Sequence, residues 1–263
     1  MSIKDILLYL DDSSSCERRL DVALGIAQTQ EARVNALSIA AYDYYQSHHL
    51  HAGERMAAAE ALLERKAREA DVNASFRCIE SAIVGVSTAE LLTNASHCSD
   101  LIVVGQESYL ENTAALIEPL VTRCGRPVLV VPVAGACAAV GTRVLVAWKN
   151  GREAARALHD AIPILRLAKQ VTLLVVAVDE EPDPYRWEGV LEHLQCHGIR
   201  PRTELQPPTS ATLAESLLNH SCEGGYDLLV MGAGQPGGGR SAELGTPAGQ
   251  ILREMTIPVF MSH

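Results

Sequence analysis

Between Met231 and Thr246 the sequence reads MGAGQPGGGRSAELGT, with six glycines in sixteen residues. Backbone that bare can approach a ligand closely and present N–H groups to an anion. The stretch lies between an apolar run, DLLVM, and a segment of helical period, PAGQILREM. A loop at the carboxyl end of a strand would there meet the positive end of a helix. Thr246 before Pro247 reads as an N-cap followed by Pro at the first helical position. The chemistry expected is recognition of a phosphate-like anion. GQPGGGRS, from Gly234 to Ser241, fits GxxxxGK[ST] except that Arg240 replaces the lysine. Glu243, Leu244 and Gly245 intervene before the cap, so a P-loop is set aside. A flexible strand-to-helix connection is the other reading of the same glycines.

Other groups could do chemistry but lack the spacing for it. HHLH at His48 to His51, and His193 and His197 beside Cys196 in HLQCH, follow no finger or metalloprotease pattern. Exposed histidines explain them, and no metal site is expected. Asp11 and Asp12 precede Ser13 to Ser15, with no GxSxG elbow and no histidine tied to them. One of these serines is expected to cap the helix that follows. No residue reads as a catalytic base. Trp148 ends an apolar run, and stacking on a base or closing the core are both open to it. EEPDPYRWEG, from Glu180 to Gly189, is a Pro-punctuated acidic loop that either flanks a base pocket or is simply solvated.

The elements that must carry these residues follow from composition and periodicity. Apolar residues are 48% of the 263 but aromatics only 4%, the diet of helix-covered parallel sheets. A net charge of −10 without a basic, aromatic-interleaved window argues against nucleic acid as a partner. Charge at Lys4, Asp5 and Asp11 interrupts any signal-peptide core, and no apolar run is long enough for a membrane span. A cytoplasmic protein with no membrane partner is expected. The seven cysteines are scattered and without a CxxC, as reduced thiols are.

The chain also repeats itself. KDILLYLDD (Lys4 to Asp12) returns as TRVLVAWKN (Thr142 to Asn150), DLIVVG (Asp100 to Gly105) as DLLVMG (Asp227 to Gly232), and RPVLVVP (Arg126 to Pro132) as IPVFMSH (Ile257 to His263). VAGACAAVG, Val133 to Gly141, reads as a linker between the copies. In each half short Val/Leu/Ile runs alternate with helical segments such as CERRLDVALGIAQTQ, ERMAAAEALLERKAREA and REAARALHDAIPILRLA. Strands apolar throughout are buried on both faces. The prediction is α/β: two tandem, doubly wound, five-stranded parallel-sheet domains over 1–133 and 141–263. The final strands would leave sheet edges through which the halves pair.

Gly232, position 235, then Gly245 and Thr246 after nine residues resemble the GxxGx9G[ST] nucleotide motif of the universal stress protein family, and the repeated α/β domain resembles that family almost end to end. The resemblance implies a nucleotide-regulated module of stress adaptation that binds ATP or a related adenine nucleotide, with at most slow hydrolysis, and that either associates into a homodimer or stands as self-paired tandem domains. In ATP-binding members the two strand-end glycines and the Gly-Ser/Thr pair cradle ribose and phosphates. Gly232, Gly245 and Thr246 match here; Gln235 replaces the second glycine, with Gly234 beside it. Members of this kind place an Asp after the first strand, near ribose and metal, whereas the second half has Lys149 and then Asn150. An ammonium cannot be a metal ligand but can meet a phosphate, so bound magnesium is not expected. The implied site is Gly232, Gly234, Gln235, Gly245 and Thr246, with Lys149, Asn150 and Arg240 beside them.

The first half departs differently. It keeps Asp11 and Asp12, but its late loop is four residues shorter, since Gly105 and Gly232 are 127 positions apart and Pro127 and Pro258 131. Ala114 and Ala115 stand opposite Gly245 and Thr246, and the phosphate cradle is missing. The first half reads as a degenerate copy. An interaction module whose nucleotide sites have decayed, with a protein partner or an apolar ligand instead, is the competing reading; Gln235 and Lys149 favour it, and the retained Gly245-Thr246 pair and glycine-rich loop oppose it. A nucleotidyl transferase would need an acid/base or His-rich signature that is absent.

Overall fold

The computed structural model describes residues 2–11, 13, 15–41, 52–81, 86–106, 116–135, 139–176, 187–206, 211–234 and 244–263. The chain divides into two compact units, Ser2–Val133 and Ala134–His263. The first carries β1 (Asp5–Tyr9), α1 (Cys16–Gln30), β2 (Arg33–Ala41), α2 (Ala52–Glu69), β3 (Ala74–Ser81), α3 (Thr88–Ser96), β4 (Leu101–Gly105), α4 (Ile117–Arg123) and β5 (Val128–Val131). Its strands are parallel and lie in the order β3-β2-β1-β4-β5. From β1 the chain winds outward through β2 and β3, then returns to pair β4 with the other edge of β1. That reversal makes a crevice beyond the carboxyl ends of β1 and β4.

The second unit repeats the plan with β6 (Arg143–Trp148), α5 (Arg152–Leu165), β7 (Gln170–Val176), α6 (Glu188–Cys196), β8 (Arg202–Gln206), α7 (Leu213–Glu223), β9 (Leu228–Gly232), α8 (Thr246–Glu254) and β10 (Val259–Ser262). The parallel order is β8-β7-β6-β9-β10. The crevice of this unit therefore lies between β6 and β9. The inner strands are buried almost without interruption; Ile6, Leu8, Val103, Val130, Leu145, Val230 and Phe260 are inaccessible or nearly so. Each buried aliphatic side chain contributes roughly 1.5–3 kcal/mol, which is how so few aromatics suffice.

The Asp of each repeated DL-strand locks the sheet from below. Asp100 accepts from the backbone N–H groups of Lys4 and Asp5 (2.8 and 3.1 Å). Asp227 accepts from Gly141, Thr142 and Arg143 (2.9 to 3.1 Å). The segment read as a linker is thus anchored at its Gly141 end, where the Asp227 carboxylate satisfies the backbone N–H.

Several local expectations are corrected. Ser15 occupies the N-cap position of α1, yet its hydroxyl makes no cap hydrogen bond; Ser13 is drawn instead to Asp11, whose carboxylate accepts from its N–H and its hydroxyl (3.0 and 2.6 Å). Thr246 is not the cap of α8 but its first residue; Gly245 is the cap. The Gly245 N–H donates to the Gly234 carbonyl at 2.7 Å, pinning the returning chain one residue earlier than the Thr-Pro signal suggests. Pro247 then falls at the second helical position, where its missing N–H costs nothing.

Candidate functional site

In the second unit a cleft of about 390 Å³ opens at the crevice between β6 and β9. Its walls come from the end of β6 (Ala147, Lys149, Asn150), the start of α5 (Gly151, Glu153, Ala154), the first turns of α7 (Leu213, Leu217), the end of β9 (Met231, Gly232, Gly234) and the start of α8 (Gly245, Pro247, Ala248). Among the described residues three helices begin on it, and α5 and α8 do so with glycine caps. These caps are Gly151 and Gly245, and neither makes a side-chain hydrogen bond. The first N–H groups of a helix lack internal partners and carry the positive end of its dipole. Two such ends face one cavity, and Lys149 and Asn150 stand exposed at its rim.

The glycines are not equivalent. A Cβ on Gly232 would stand 2.5 Å from the backbone nitrogen of Ala154 and the carbonyl carbon of Glu153. That glycine lets the start of α5 press onto the end of β9. A Cβ on Gly245 would lie 3.0 Å from the Gly234 oxygen, whereas one on Gly234 would meet nothing within 4 Å. Gly234 and Gly245 are the two feet of the glycine loop, joined by the 2.7 Å hydrogen bond.

Five residues singled out from the sequence, Lys149, Asn150, Gly232, Gly234 and Gly245, come together on this cleft. Thr246 is exposed at the head of α8 and is not among the lining residues. Gln235 and Arg240 lie outside the described residues, as do Asp12, Ser14, His48 to His51, Ala114, Ala115 and most of the Glu180 loop. Trp148 is 6% exposed, pointing away from the cleft that its neighbours Ala147 and Lys149 line. Strand alternation decides this, and the indole closes the core. Glu153 was not anticipated. It brings a carboxylate to the cleft from the first turn of α5, 3.2 Å from the Arg152 guanidinium, and the one signal for it was its place just after the Asn150-Gly151 turn. The His193 and His197 rings meet at 4.8 Å between centroids and His159 joins His193 at 6.4 Å. Among the described residues no group of three His, Cys, Asp or Glu is arranged to hold a metal ion.

No protein-family model matches the sequence, and no curated protein matches it. The likeness lies in three dimensions. A universal stress protein from Archaeoglobus fulgidus DSM 4304 matches with a TM-score of 0.76, covering 98% of this chain and 97% of that one at 17% identity. The chain has the universal stress protein fold. A functionally unknown protein from Pseudomonas aeruginosa PAO1 matches with a TM-score of 0.59 over 99% of this chain and 92% of that one, at 17% identity. A universal stress protein in complex with cAMP covers 50% of this chain and 98% of its own at 18% identity and a TM-score of 0.38. Within the universal stress protein fold of this chain, the cleft stands at the reversal of strand order in the second unit. Among the described residues, no helix is long and apolar enough to cross a membrane.

Proposed function

We propose that the protein is a tandem member of the universal stress protein family whose second unit, residues 141–263, binds ATP or a related adenine nucleotide in the β6/β9 cleft. The observation that carries the reading is the convergence of two glycine-capped helix N-termini on one cavity rimmed by Lys149. Such a cavity suits a polyphosphate, since helix N-termini offer backbone amides as its donors. The adenine part of the proposal follows from the GxxGx9G[ST] resemblance, with Gln235, Arg240 and Thr246 completing the loop. Magnesium fits poorly, because the position that would supply its carboxylate is Lys149. Nucleotide occupancy then serves as a signal in stress adaptation in the cytoplasm, carried by a homodimer or by the self-paired tandem chain, with hydrolysis slow or absent.

The test is Gly245→Asp, which puts a carboxylate at the head of α8 where the phosphates are to lie. ATP affinity, followed by calorimetry, should fall at least a hundredfold in a variant that still folds; unchanged affinity would remove the site. A second reading is favoured by a specific observation. Gly232 is required by the contact with α5 whether or not a ligand binds, so its presence is also compatible with an interaction module that has lost its nucleotide. That module would show no uptake of ATP at millimolar concentration.

A further inference from the structure

The crevice of the first unit, between β1 and β4, contains an arginine. Arg19, on α1, is 1% exposed. Its guanidinium forms a two-pronged pair with the Asp11 carboxylate, Nη1 lying 2.9 Å from Oδ2 and Nη2 on Oδ1, and Nη2 also donates to the Ser13 hydroxyl at 3.1 Å. The same group lies against the end of β4, where a Cβ on Gly105 would stand 2.8 Å from Nη1. By the repeat, Asp11, Ser13 and Gly105 correspond to Lys149, Gly151 and Gly232, which line the open cleft of the second unit. Every one of these counterparts in the first unit touches the Arg19 guanidinium. The residue opposite Arg19 is Ala157, buried and too short to reach the crevice.

We propose that Arg19 is the resident occupant of the first unit's crevice, a tethered cation that takes the place of a ligand and restricts ligand binding to the second unit. The chemistry is complementary. Asp11 supplies two oxygens to a planar fork of donors, the geometry that holds guanidinium firmly, and the charges of the pair neutralise each other. In the second unit the corresponding position is an exposed ammonium. The Arg19 Nε has no hydrogen-bond partner among the described residues, and the Cys16 thiol, three residues earlier on α1, also interacts with the Arg19 side chain. The inference rests on the nucleotide reading only for what binds in the second unit.

The test uses the full chain with Arg19→Ala, and methylguanidinium chloride as probe. The variant should lose several degrees of Tm, and millimolar methylguanidinium should restore at least half of that loss saturably, with one equivalent taken up per chain by calorimetry and none by the wild type. A folded variant that takes up none overturns the proposal. Should Arg19→Ala fold only when the probe is added, the expected result stands. A second arm needs no emptied crevice: Gly105→Ala should lower Tm in the wild-type background but cost nothing further alongside Arg19→Lys, which keeps the charge beside Asp11 without the planar group against Gly105. Equal cost in both backgrounds overturns the proposal. None of these measurements involves nucleotide, so a wild type that binds no ATP removes the functional reading and leaves the plug intact. Two equivalents of ATP per wild-type chain would overturn the plug alone.

Discussion

At position 149 the second unit carries an ammonium where position 11 of the first carries a carboxylate, and the fates of the two crevices follow that difference. Lys149 is exposed at the rim of an open cleft. Lys149→Asp should therefore weaken ATP binding at least fivefold, on the order of the ~1 kcal/mol of one exposed charge, with the loss shrinking as salt is added. Asp11 is held below its ordinary pKa: burial pushes it up, but the hydrogen bonds and charge of Arg19, with the two bonds from Ser13, outweigh that push. A carboxylate whose folded pKa is depressed contributes stability that is present above its unfolded value, about 3.9, and is lost as pH falls through the lower folded value. Acid titration of Tm should show a fall below about pH 4 that is smaller in Asp11→Asn; equal profiles would contradict the pairing. The glycines separate in the same way. Gly232→Ala forces backbone against backbone and should cost about 1–3 kcal/mol, whereas Gly234→Ala meets open space and should stay within about 0.5 kcal/mol, both read by chemical denaturation.

Among the elements, α7 and α8 border the cleft, and one residue ties them. The Thr212 hydroxyl accepts from the Glu215 N–H at 3.2 Å while the Glu215 carboxylate accepts from the Thr212 N–H at 2.8 Å, a complete capping box. The same hydroxyl lies 3.2 Å from Gln250 Oε1 on α8. Thr212→Ala should cost about 1 kcal/mol of stability and loosen the wall made by Leu213 and Leu217, with Thr212→Ser restoring both; a thermal melt and an ATP titration of the two variants check this. Element by element, much was legible in the sequence. CERRLDVALGIAQTQ is α1 from end to end, because its apolar spacing is local, and the repeated DL-strands stood out because burial on both faces leaves no polar interruption. Arg19 was not legible: one arginine in CERRLD looks like any solvated helical residue, and its burial depends on a carboxylate before the helix and a glycine at the end of β4. The start of α8 was misplaced by one residue for a similar reason, since the hydrogen bond that fixes Gly245 comes from Gly234, across the loop.

On the scale of the whole molecule, the two units repeat one topology and differ in what stands at the reversal of strand order. Fold repetition alone would predict two equal sites, but the side chains at these crevices do not repeat. With the first unit closed by its own arginine and the second open, ligand stoichiometry separates the two crevices directly. Calorimetric titration of the purified 263-residue chain with ATP, with and without magnesium, is the most direct measurement. One equivalent per chain is expected, with affinity that does not require the metal. No uptake at millimolar ATP would contradict the nucleotide assignment, and two equivalents would contradict the closure of the first unit.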